Sequence, residues 1–186
     1  MRVLLLFSFL LLCGLPIHTY ATPELIAPQP KPNESWLETL KTQVESTSTS
    51  DAEVDQILNS QISNTNIDIK FWAMYLLANR HFLGLTALAQ KDKIEGLKEA
   101  EKIYKSLAAQ DIKPKVKSQA IFMLVEMNVH GQAELSRTNK VEAFKEAERL
   151  LKVIINEKNM TEMSKKDATK MLVELQKRLI QDDKTK

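Results

Sequence analysis

Apolar residues recur every three or four positions through most of the second half of the chain. Residues 69–83 carry Ala73, Leu76, Leu77 and Arg80 on this rhythm, and residues 94–108 carry Leu97, Ala100, Ile103, Tyr104 and Leu107. Residues 116–130 follow with Ala120, Met123, Leu124 and Met127. Residues 141–155 follow with Phe144, Ala147, Leu150, Leu151 and Ile154. A last stretch over 162–181 has Ala168, Met171, Leu172, Leu175 and Leu179. Such spacing puts the apolar side chains on one face of an α-helix, so the pattern predicts five amphipathic helices. Two shorter ones precede them. One runs over 36–46 with Trp36, Leu37, Leu40 and Val44, begun by Asn33 or Ser35. The other runs over 52–62 with Val54, Ile57, Leu58 and Ile62, with Asp51 as its cap. Pro114 sits between two of the long helices, where a break in hydrogen bonding is cheap.

The pattern also repeats. Residues 71–110 laid on 118–157, a shift of 47 with no gap, match at 11 of 40 positions. Ala73 falls on Ala120, Leu77 on Leu124, Gly84 on Gly131, and the stretch 93–105 on 140–152. Each unit is then a helix pair that cannot bury its apolar face alone, and stacked units share a core. Gly84 and Gly131 stand at the end of each first helix or just past it, where a left-handed residue is wanted. Whether the first helix stops there or continues to about Ala89 stays open.

These residues carry a resemblance. A small Ala in the first helix, a Gly eleven residues on, a polar loop and a Lys-x-Ala second helix are similar to the Sel-one-like repeat, a relative of the tetratricopeptide repeat. The matching residues are Ala73, Gly84, Lys98 and Ala100, then Ala120, Gly131, Lys145 and Ala147. The unit of 47 is longer than the family's, the loops hold few Gly, and an Ala-Ala step closes only one second helix, at Ala108-Ala109. The resemblance implies an α-solenoid that binds other proteins, and no catalytic residue.

The expected fold is all-α: a short α-solenoid of antiparallel helix pairs with terminal capping helices. The expected segments are 1–21 as signal peptide, 22–34 as a Pro-rich extended linker, and 35–67 as short N-terminal helices forming a cap. Repeat 1 follows over 68–115, repeat 2 over 116–160, a C-terminal capping helix over 161–181 and a tail over 182–186.

Composition adds the destination. Arg2, the apolar run Val3–Leu12 and Thr19-Tyr20-Ala21 form an export signal cut after Ala21. The run is too short to anchor in a bilayer, so the protein is expected in the periplasm or secreted, with no membrane insertion after cleavage. Lipidation of Cys13 is an alternative that the bulky Leu12 disfavours. Cleavage leaves 186 − 21 = 165 residues, and no cysteine among them, so stability must come from the apolar core. Of 26 basic and 24 acidic residues the signal removes one basic, leaving about 25 − 24 = +1. A chain so near neutral is a poor candidate for holding nucleic acid through phosphate contacts, and no nucleic-acid partner is expected.

Candidate chemistry is sparse. His81 and His130 do not share a repeat position; each is expected near the exposed end of a first helix as a solvated or capping residue. Glu99/Glu101 and Glu146/Glu148 recur with the repeat, and their Lys neighbours predict a salt-bridged outer face. No catalytic residue, metal site or cofactor is expected. Partner binding is expected on the first helices, where Tyr75, Asn79 and Phe82 map onto Phe122, Glu126 and Val129. For Tyr75 and Phe122, packing between repeats is the competing role. The expected function is a scaffold or adaptor that holds another protein. The alternative is an immunity or inhibitor protein against an envelope-directed toxin or enzyme.

Overall fold

A computed structural model describes Thr42 and residues 50–184 of the 186-residue chain, with side chains described as far as Leu179. The signal segment, Cys13, the Pro-rich linker and, apart from Thr42, the helix expected over 36–46 lie outside the described residues. Thr42 itself is helical.

The described chain is all-α. Its helices are α1 (Asp51–Ile62), α2 (Ile67–Phe82), α3 (Ala87–Lys91), α4 (Lys93–Ala109), α5 (Pro114–Val129), α6 (Glu134–Thr138), α7 (Lys140–Asn156) and α8 (Glu162–Lys184). The 47-residue shift holds for every boundary of the central six. Adding 47 to 67–82, 87–91 and 93–109 gives 114–129, 134–138 and 140–156. Among the described residues no helix is long and apolar enough to cross a membrane.

Local signals explain the boundaries. Asn66 caps α2 by accepting from the N–H groups of Asp68 (3.0 Å) and Ile69 (3.4 Å). Asp92 does the same for α4 at Ile94 and Glu95, and Asn139 caps α7 at Glu142. Pro114 is the first residue of α5, where its missing N–H costs nothing. Asp51 departs from expectation. It is the first residue of α1 rather than the residue before it, and its carboxylate is used elsewhere.

The first helix of each pair stops at a glycine in the left-handed region, Gly84 at φ 76° and Gly131 at φ 74°. Gly84 N–H donates to His81 O (3.2 Å) and Leu85 N–H to Arg80 O (2.9 Å), which satisfies the last carbonyls of α2. Gln132 N–H closes on Met127 O (2.9 Å) in the second unit. This settles the open end of the first helix: it does not run on to Ala89, because the chain turns at Gly84 and restarts as the short α3. A Cβ on either glycine would meet nothing within 4 Å, so only the backbone resists substitution. Gly84→Ala and Gly131→Ala are therefore expected to cost about 1–2 kcal/mol each, equal to within about 0.5 kcal/mol. Paired urea titrations of the two variants check this.

Packing runs between sequence neighbours: α1 on α2, α2 on α4, α4 on α5, α5 on α7 and α7 on α8, with α3 against α4 and α6 against α7. The first helices α2 and α5 also touch each other. One core threads the set, from Phe71 and Ala78 through Tyr104, Leu107, Ile121 and Met127 to Leu151, Ile154 and Leu175. Ala73, Ala100, Ala120 and Ala147, the small residues of the repeat, are all fully buried. A larger side chain there would force the helices apart.

The two units differ in how they satisfy one turn. Thr86 caps α3 itself, its Oγ1 accepting from Ala89 N–H at 3.2 Å. The residue 47 later is Ala133, which has no side-chain cap to offer. There Glu101 of α4 supplies it, its Oε2 accepting Glu134 N–H at 2.8 Å. The residue 47 before Glu101 is Val54, fully apolar and buried in α1, where no cap is needed.

Candidate partner-binding face

Residues seven apart on a helix with one midway lie along one stripe. Tyr75, Asn79 and Phe82 make that stripe on α2, and Phe122, Glu126 and Val129 make it on α5. All six are half-buried, at the edge of the core and open on one side. Because α2 and α5 touch, the two stripes lie on neighbouring helices.

The two ends of this face are built differently. Tyr75 packs edge-on against Trp72, with ring centroids 5.9 Å apart, and tilts against Tyr104 at 6.1 Å. Tyr104 is fully buried, and its hydroxyl donates to Asn79 Oδ1 at 2.5 Å. Burial pushes both phenols above their ordinary range, Tyr104 strongly so with Tyr75 adding to it, while Asn79 draws Tyr75 partly back. Both stay neutral. Tyr75 and Asn79 are thus tied inward to α4, Tyr75 through ring packing on Tyr104 and Asn79 through the Tyr104 hydroxyl. Phe82, Phe122 and Val129 pack on the core with one side uncovered. Glu126 pairs with His130 at 3.0 Å, one turn on. Lys115 of α5 sits 5.8 Å over the Trp72 ring of α2, a cation–π contact that bridges the two first helices.

The histidines separate. His130 is exposed and caps α5, as expected. His81 is instead buried, contrary to the exposed position expected for it. Helix α3 folds back over it, and Thr86 Oγ1 lies 2.8 Å from His81 Nδ1. That hydroxyl oxygen already accepts Ala89 N–H, so its own proton is free for the ring nitrogen. Burial holds the His81 pKa below its ordinary value, and Arg80 pushes the same way; Glu99 and Asp55 oppose both. The sign follows. A ring held neutral by the fold stabilises it fully above the unfolded value near 6.5, and this contribution is lost as pH falls through that value toward the lower folded one. Full-length protein is expected to lose stability between about pH 7.5 and 5.5, and His81→Asn, the residue at the equivalent Asn128, to lose less. Urea midpoints at the two pH values measure the difference.

The repeated carboxylates follow expectation at three of four positions. Glu99 pairs with Lys102 (3.1 Å), Glu146 with Arg149 (2.7 Å) and Glu148 with Lys152 (2.7 Å) on the outer surface. The Lys152 contact, helped by Gln176 of α8, holds the Glu148 carboxyl below its usual range despite some burial. Glu101 is the exception. It pairs with Lys105 at 2.7 Å but is buried, because it is needed at the start of α6. Among the described residues no group of three or more His, Cys, Asp or Glu is placed to hold a metal ion.

Arg80, which spacing puts on the apolar rhythm of 69–83, is a buried cation whose partners spacing does not show. Arg80 of α2 donates from Nε to Asp55 Oδ1 (2.7 Å), and from Nη2 to the carbonyl (2.9 Å) and carboxylate (3.2 Å) of Asp51. Its counterpart 47 residues later is Met127, so the repeat alignment itself carried the signal: a charge aligned with a core methionine. No protein-family model matches this chain, and no curated protein or solved structure matches it.

Proposed function

We propose that this chain is an exported helical-repeat protein of the Sel-one-like kind, and that its first helices bind another protein in a scaffold or adaptor role. The observation that supports this most is the register of α2 and α5. Two helices repeat at 47 residues, touch each other, and carry half-covered apolar side chains at matched positions: Phe82 with Val129, and Tyr75 with Phe122. A half-open apolar stripe on a rigid helix pair is the kind of surface that takes a partner's anchor residues.

The test uses Phe82 and Val129, because Tyr75 is committed to the core. The tagged protein is captured from its own host after light crosslinking, alongside Phe82→Asp and Val129→Asp variants whose helical content and melting are confirmed. One partner near equal stoichiometry is expected, weakened about thirtyfold or more in the variants. Capture that ignores both substitutions, or that yields nothing above background, overturns the reading. If the partner is an enzyme that one equivalent of this protein silences, the role is that of an inhibitor or immunity protein.

A further inference from the structure

Helix α8 extends the ladder of first helices, and with it the candidate face. It packs on α7 as α5 packs on α4. The link before it, 157–161, has one residue more than the link 110–113 before α5, so α8 starts 48 residues after α5, since 114 + 48 = 162. Its first turn is tied to α5 by Ser164 Oγ donating to Ser118 Oγ at 3.2 Å. At this offset Ala168 takes the buried place of Ala120, and Leu175 that of Met127.

The same offset carries the stripe onward. Phe122, Glu126 and Val129 of α5 become Lys170, Glu174 and Lys177 of α8, and Ser118, one turn earlier and buried beside the stripe, becomes the exposed Lys166. Lys166, Lys170, Glu174 and Lys177 are all exposed and border one shallow groove along α8. The face therefore changes character across three helices. It is aromatic and uncharged at Tyr75, Asn79 and Phe82 on α2. On α5 it is apolar, with one carboxylate paired to His130. On α8 the three matching positions carry Lys170, Glu174 and Lys177, with the exposed Lys166 beside them.

We propose that this face takes an extended peptide segment of a partner, with apolar side chains over α2 and α5 and a block of carboxylates over α8. The proposal rests on the binding face proposed above and adds the chemistry and polarity of the ligand. Charge complementarity fixes which end is acidic. Spacing fixes the length. Neighbouring helices lie about 8–10 Å apart, so two steps are about 20 Å, which about six extended residues cover.

The test uses the full chain and labelled synthetic peptides. One has a Trp-Leu-Phe block, a Gly-Ser-Gly spacer and a Glu-Asp-Glu block. Its control carries three Lys in place of the three acids. Fluorescence anisotropy is expected to show the acidic peptide bound about tenfold or more tighter than the control at about 50 mM salt, with the advantage fading near 300 mM. The Lys166→Glu/Lys177→Glu double variant should erase the preference while keeping its melting transition. Equal binding of both peptides, no binding of either, or a preference that survives the double variant overturns the proposal. Equal binding that Phe82→Asp abolishes leaves the apolar face standing without the basic end. Acid-selective binding untouched by Phe82→Asp and Val129→Asp sinks the apolar face itself.

Discussion

Arg80→Met is expected to destabilise the fold by about 2–4 kcal/mol, although Met is what the chain itself uses at the equivalent position. Arg80 is only 8% exposed and its main partner Asp55 only 17%. Removing the guanidinium strands the Asp55 carboxylate in a place where water reaches it poorly, and a stranded buried charge costs more than the pair contributes. Asp51 suffers less. It is 38% exposed and sits in the first turn of α1, where the helix dipole favours an anion. Met127 carries no such cost, because the residues 47 after Asp51 and Asp55 are Lys98 and Lys102, which point to solvent and pair with Glu95 and Glu99. The environment was exchanged along with the residue. Asp55→Leu/Arg80→Met should be more stable than Arg80→Met alone, with a coupling of at least about 1 kcal/mol in a double-mutant cycle. Urea unfolding of the full chain supplies all four corners. A single variant as mild as a surface change would mean that α1 is held by Val54 and Leu58 alone.

Helix boundaries were legible because they are local. The three-four rhythm placed each long helix to within three residues, and the φ of Gly84 and Gly131 follows from their place in the repeat. The short helices α3 and α6 were not legible. Five residues such as 87–91 are too few to show a period, and they are held by contacts to α4 and α7 instead. The burial of His81 and Glu101 was hidden for the same reason. His81 is covered by the returning α3, and Glu101 is recruited by an N–H group 33 residues away. The stripe of the candidate face was visible from spacing alone. What each residue does there was not, since the tie from Asn79 to the core comes from Tyr104, which lies 25 residues on. The repeat alignment still held part of the missing information. Positions where the two units differ in kind, Arg80 with Met127 and Thr86 with Ala133, are the ones whose surroundings differ, and Val54 against Glu101 records the compensation.

Gly96→Ala puts helix propensity and packing in direct opposition, and packing is expected to win. An alanine in the first turn of α4 should stabilise an isolated helix by about 0.8–1 kcal/mol. In the folded protein its Cβ would stand 2.4 Å from Ala89 Cβ and 2.8 Å from Ala89 Cα, with His81 O at 3.3 Å. The first two distances are far inside van der Waals contact, and the second is to backbone, so α3 must lift away from α4. Lifting α3 also disturbs Thr86, which caps that helix and meets the buried His81 ring. The net result is a loss of about 1–3 kcal/mol, read as a lower urea midpoint and faster hydrogen exchange at Ala89. Ala89→Gly in the Gly96→Ala background removes the closer clash but not the one at the α-carbon, so it should restore only part of the loss. The second unit shows that the geometry has an alternative solution, since Ala143 occupies the position of Gly96 and is fully buried, while Ser136 occupies that of Ala89. There the first N–H of α6 is capped from α4 by Glu101, where α3 is capped by its own Thr86. A Gly96→Ala protein more stable than the parent would show that α3 can move as freely as α6, and that the tight seat of α3 on α4 is not what keeps His81 buried.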